Sequence, residues 1–147
     1  MKDLAVRLFQ PLPQSLAPSV GLLLMRLIAG FGFILHGWGK IQNPFGWMGE
    51  DAAVPGIFQA LAALSEFGGG IAWMIGLVTP LASFGLFCTM VVATLMHAVV
   101  NGDPFVNPGG PSYELALLYW GIAVVFLTAG PGRFSLDAKL FGERRAN

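Results

Sequence analysis

The sequence predicts an all-α protein built as a four-transmembrane-helix bundle, and three observations carry that expectation. Apolar residues make up 55% of the 147 residues and charged residues only 11%, about half the ~25% of an ordinary soluble chain, and mean hydropathy is +0.69. From Phe67 to Gly102 there is no Asp, Glu, Lys or Arg, a run that as helix would measure ~54 Å and is too long for one crossing. The apolar runs are punctuated by short stretches dense in Pro, Gly and Asn, which are turn formers. At this length a single integral membrane domain, residues 1–147, is expected.

Taken in order, Met1 to Phe9 sets Lys2, Asp3 and Arg7 among Leu4, Val6, Leu8 and Phe9, which suits one or two turns of interfacial helix. Pro11, Pro13 and Pro18 stop it. They precede the apolar run, and Arg26 interrupts that run, which does not fit a cleaved signal peptide. Helix 1 is expected over about 19–41, with Ser19 as N-cap. At ~100° per residue, Arg26, Gly30, Phe33, His36, Gly37 and Lys40 share about a third of its circumference. Leu27, Ile28, Phe31, Ile34, Leu35 and Trp38 take the opposite side. Such a helix turns apolar side chains to lipid and a basic, glycine-notched stripe inward, where ionisable residues meet partners or a polar cavity.

Gln42 to Gly56 is a loop with Pro44, Gly46, Gly49 and Pro55, and Phe45 and Trp47 suit the membrane–water interface. Thr79-Pro80 divides the charge-free run into helix 2, about 57–78, and helix 3, about 80–100, because proline fits a first helical turn. Gly68 to Gly70 and Gly76 allow neighbouring backbones to approach. Asn101 to Ser112 is a second loop. Helix 4 is expected over 113–129, capped by Ser112, with Glu114 in its first turn and Gly130-Pro131 at its end. The tail, 133–145, carries Arg133, Lys139, Arg144 and Arg145, with Ser135 capping a short amphipathic surface helix. Basic residues gather in the N-terminal segment and the tail while the two long loops have none, so both termini are expected in the cytoplasm.

Net charge is zero, and with no basic run a nucleic-acid partner is excluded. The single cysteine, Cys88, forms no internal disulfide or CxxC pair and reads as a small packing residue. There is no haem-attachment motif, phosphate-cradling loop or nucleophile elbow. His36, His97, Glu66 and Glu114 are of metal-ligating type, but no helix carries Glu-x-x-His, so no metal site is assigned.

Depth then groups the polar residues. His36 and Lys40 fall near the outer end of helix 1, Glu66 ~12 Å below the outer start of helix 2, His97 near the outer end of helix 3, and Glu114 at the outer start of helix 4. Arg26 alone falls toward the inner leaflet. The expected outer-leaflet pocket has Glu66, His97 and His36 as catalytic proton carriers. Arg26, Lys40, Glu114, Trp38 and Trp73 are its ligand-binding candidates. Charges in a bundle stay ionised by pairing, with Lys40 or Arg26 beside Glu66 the natural pairs. Such a site exchanges protons and grips a polar ring or carbonyl, as a quinone requires. The structural alternatives are that Lys40 snorkels to headgroups, Glu114 serves the helix dipole, and His97 is a satisfied structural histidine.

The succession R-x3-G-x5-HGxxK (Arg26 to Lys40), E-x-GGG-x5-GLVTP (Glu66 to Pro80), the Glu114 helix, and GPG-x2-SLD (Gly130 to Asp137) resembles the DoxX family of small four-helix bacterial membrane proteins. Pro80 stands where many members carry arginine. The family is named after a subunit of an archaeal thiosulfate:quinone oxidoreductase, and other members are linked to membrane oxidoreductase assemblies and to quinone or thiol stress. The resemblance implies a multi-pass inner-membrane protein with a quinone-linked role carried by Arg26, His36, Lys40, Glu66, His97 and Glu114. The lone Cys88 argues against thiol chemistry by this chain alone. Three functions follow as expectations: a quinone-linked oxidoreductase subunit, a non-catalytic anchor for a soluble oxidoreductase, or a small-solute transporter. The uncharged cytoplasmic half of helices 2 to 4 speaks against the last. The expected partners are the lipid bilayer, a quinone, and a soluble oxidoreductase or a second copy of the chain.

Overall fold

Proline and glycine set the ends of the helices. The computed structural model describes residues 2–142, with side chains from residue 6 onward, and all regular structure among them is helical. The helices are α1 (Lys2–Phe9), α2 (Leu16–Gln42), α3 (Gly56–Ile75), α4 (Thr79–Leu95), α5 (Glu114–Ala129) and α6 (Leu136–Phe141). Helix α2 starts three residues before the expected Ser19: its N-cap is Ser15, and Pro18 falls in the first turn. A first-turn N–H has no partner within the helix, so proline gives up nothing there. Ser19 is instead a fully buried helical residue.

Helix α3 stops at Ile75, short of the expected 78, because Gly76 takes a left-handed φ of +68°. Its N–H reaches the Trp73 carbonyl (3.1 Å) and that of Leu77 reaches Ala72 (3.0 Å), the paired closure of a Schellman motif. Helix α4 begins with Thr79-Pro80 as expected and passes at Met96–Val100 into a π-helical turn. Ser112 does not cap α5, whose N-cap residue is Tyr113. Ser135 does cap α6, accepting from the Ala138 N–H at 3.2 Å. Arg144 and Arg145 lie outside the described residues.

The α2–α3 contact is the closest in the bundle. A Cβ on Gly30 would stand 2.7 Å from the Gly70 carbonyl oxygen, and one on Gly37 would stand 2.5 Å from the Phe67 nitrogen. Helix α3 packs on α4 and α4 on α5. Between α2 and α5 the gap is bridged by rings, Phe33 against Tyr119 at 4.4 Å. The core below is aromatic: Trp73 stands edge-on to Phe33 (5.4 Å) and Phe126 (4.7 Å), and its indole N–H donates to Ser83 Oγ at 2.9 Å. At the tail end, α1 meets α6 through Phe9 and Phe141 (5.4 Å).

Two helical stretches, Leu16–Gln42 and Thr79–Val100, are long and apolar enough to cross a membrane, and Glu114–Ala129 is a shorter apolar helix. Large apolar side chains cover their outward faces, Ile28, Phe31, Leu35, Leu81, Leu95 and Leu118 among them. Cys88 is exposed on α4. It is therefore not the interior packing residue the sequence suggested.

Candidate functional site

The buried polar residues separate into two clusters at opposite ends of the bundle. At the loop end, Lys40 of α2 places its ammonium 2.6 and 2.7 Å from the two carboxylate oxygens of Glu66 on α3. The Gly37–Phe67 approach one turn earlier allows this, because it brings the two backbones within reach of a short bridge. Glu66 is 4% exposed and Lys40 25%, so Lys40 pairs inward instead of snorkelling away. A carboxylate that deep requires its counter-charge. The Lys40 ammonium also lies 4.5 Å from the Trp47 ring centre, a cation–π contact that fixes it from the loop side.

This pair lines a cavity of about 180 Å³ together with His36, His97, Tyr119 and the apolar Phe33, Met90 and Leu115. His36 stands edge-to-face with Tyr119, ring centres 6.2 Å apart. His97, at the start of the π turn, holds Asp103 Oδ2 at 2.7 Å from its Nδ1. Ligand pockets for drug-sized molecules run to roughly 300–1,000 Å³. This one suits a single ring or a small polar molecule.

Four of the expected residues thus meet: His36, Lys40, Glu66 and His97. Arg26, Trp38, Trp73 and Glu114 lie elsewhere. Arg26 is on the same stripe as Lys40 but fourteen residues away, ~21 Å along the axis. It is fully buried at the tail end, where it donates to the Phe134 carbonyl and, at 3.3 Å, to the Trp73 carbonyl. Trp73 is two turns below Glu66 and belongs to the core. Trp38, ~200° around α2 from His36, is 57% exposed and rests on Phe67. Glu114 is exposed at the start of α5, which leaves it the helix-terminus role.

Two residues escaped sequence reasoning, Tyr119 in the cavity lining and Asp103 behind His97. Asp103 sits among turn formers and looked like one more of them. The signal for it was an acidic residue just past the histidine at a helix end. Tyr119 belongs to the inward stripe Ala116, Tyr119, Ala123, Phe126 of α5, readable from its spacing of three and four residues. No group of three or more metal-ligating side chains converges among the described residues. A larger groove of about 440 Å³ lies at the tail end between Leu8, Pro11, Leu81 and Phe126, but no ionisable side chain among the described residues lines it.

The loop-end cavity can therefore hold a polar ring between a fixed cation and two imidazoles, and can pass a proton to or from it. Comparison with known proteins agrees on the kind of protein. The sequence profile of the DoxX family matches residues 21–98. An uncharacterized protein of Haemophilus influenzae is 34% identical over 122 residues, 80% of this chain and 88% of the relative. The inner membrane protein YqjF of Escherichia coli is 35% identical over 125 residues, 83% of this chain and 93% of the relative. No solved structure matches. With its membrane-length apolar helices, the chain belongs to the DoxX family and is an inner-membrane protein.

Proposed function

We propose that the chain is a membrane subunit of a quinone-linked oxidoreductase and that the loop-end cavity binds the quinone ring. The observation that carries this is the Lys40–Glu66 pair lining a ring-sized cavity beside two histidines. Interconversion of a quinone and its hydroquinone moves two electrons and two protons. The side chains here serve the oxygens and the protons, and an oxidoreductase partner exchanges the electrons. Lys40, held by Glu66, binds a carbonyl or oxyanion oxygen, His97 exchanges protons, and Phe33 and Tyr119 flank the ring. In this reading α2 to α5 all span the bilayer, with α1 and α6 on the cytoplasmic side and both long loops outside.

The test is binding of a short-chain benzoquinone to the purified full-length protein in lipid nanodiscs, followed by tryptophan fluorescence. Glu66→Gln and Lys40→Met are each expected to weaken binding roughly tenfold, about 1.4 kcal/mol, while Trp38→Phe leaves it unchanged. Equal binding by wild type and both cavity variants overturns the reading. The anchor alternative predicts a different pattern in cells: Glu66→Gln silent, and Lys139→Glu on the exposed face of α6 abolishing the phenotype. A point change serves better than removing the tail, because Asp137 in the same segment holds the start of α4.

A further inference from the structure

We propose that Asp103 is a positioning residue which fixes His97 as a proton acceptor for a hydroxylated ring, and that this pair connects the cavity with the aqueous phase at the loop end. The inference rests on the ring-binding reading above and adds to it the form of the ligand and the side on which its proton leaves.

The π turn makes the juxtaposition. Its last hydrogen bond runs from the Asn101 N–H to the Met96 carbonyl at 2.9 Å, and the chain then folds back so that the Asp103 N–H reaches the His97 carbonyl at 2.9 Å. The Asp103 carboxylate meets Nδ1 of the same residue at 2.7 Å. Residue 103 is thus fastened to residue 97 at two points, through backbone and through side chain. Wide helical turns of this kind recur at functional sites. The carboxylate is the more sheltered partner, at 13% exposure against 39% for the imidazole. A surface ion pair formed by chance is held by neither feature.

The chemistry follows from the donor inventory. An ionised carboxylate only accepts, so the neutral imidazole carries its proton on Nδ1 and keeps the lone pair on Nε2. Around the cavity the other titratable groups are Glu66 from α3, Lys40 and His36 from α2, and Tyr119 from α5. Both Glu66 oxygens are committed to Lys40. His97 Nε2 is the acceptor that a carboxylate orients. With a hydroquinone bound, the ligand O–H bond breaks and an N–H bond forms at Nε2, leaving a ligand oxyanion for Lys40 and an imidazolium against Asp103. Once the ligand has left, Nε2 gives that proton to water reaching the part-exposed ring, and Nδ1–H stays on Asp103. No electrons move in this step.

Two measurements on the full-length protein in nanodiscs test this. Nitrogen-15 NMR of histidine-labelled protein, with His97 assigned through His97→Gln, is expected to find the neutral ring protonated at Nδ1. In Asp103→Leu, which leaves Nδ1 no acceptor, the proton is expected on Nε2. A short-chain hydroquinone should then bind Asp103→Leu about tenfold more weakly than wild type, with an altered pH profile, whereas the corresponding quinone, having no proton to give, binds both equally. His97→Gln should give the same selective loss, and the double variant no more. A wild-type ring protonated at Nε2 overturns the inference. So does Asp103→Leu binding both probes as wild type does, or losing both equally, with quinone binding by wild type leaving the function above intact. If neither probe binds wild type, that function falls as well.

Discussion

Asp137→Ala is expected to lower the thermal unfolding midpoint of the detergent-solubilised protein by about 10 °C or more, or to prevent its accumulation. Asp137 is fully buried. Its two carboxylate oxygens accept from the backbone N–H groups of Val78 (2.7 Å) and Thr79 (2.8 Å), and its own N–H donates to the Gly76 carbonyl at 2.8 Å. Val78, the N-cap residue of α4, offers no side-chain cap of its own and holds a strained φ of +45°. The free donors of that helix start are therefore satisfied from a distant segment. Hydrogen bonds to a charged group contribute about 1.5–3 kcal/mol each. The two bonds together give roughly 3–5 kcal/mol. Asp137→Asn, which retains one acceptor, should fall between wild type and Asp137→Ala. Unchanged melting of both would show that this contact does not hold the start of α4.

Gly37→Ala and Gly39→Ala should have opposite outcomes although they lie two residues apart. A Cβ on Gly37 would stand 2.5, 2.8 and 2.9 Å from the nitrogen, Cα and Cβ of Phe67. Backbone atoms of a packed helix cannot give way, so α2 and α3 must separate, at about 1–3 kcal/mol. Lys40, one turn on, is then drawn from Glu66, and benzoquinone binding should fall with stability. A Cβ on Gly39 meets nothing within 4 Å, so only the helix-propensity gain of up to ~1 kcal/mol remains. Melting and probe binding of the two variants check this directly. Equal behaviour would mean that the close approach is not what sets the Lys40–Glu66 geometry.

Much of this architecture was legible because it rests on local rules. The Thr79-Pro80 helix start, the stop at Gly130 and the Ser135 cap are each written within a few residues. So was the inward stripe of α2, since Arg26, Gly30, Phe33 and Gly37 are all buried on it. The errors arose where distance along an axis or partners far in sequence decide. Sharing a stripe with Lys40 did not bring Arg26 to the cavity, because an axial separation of ~21 Å outlasts any side chain. Trp73 failed for the same reason and Trp38 by angle. Gly76 was read as a packing glycine although its left-handed φ ends α3. That conformation is supported by Arg26 and Ser135, which fill the space a Cβ would need. Asp103 was overlooked because its role depends on a π turn, which no residue pattern announces.

The contact of Asp137 with the start of α4 has a bearing on biogenesis. During translation α2, α3, α4 and α5 each emerge from the ribosome ahead of residue 137, so the first donors of α4 stay open until that residue follows. Completion of the bundle is thereby deferred until the segment after α5 arrives. A nascent chain stalled short of it would present α4 with its opening amides unsatisfied.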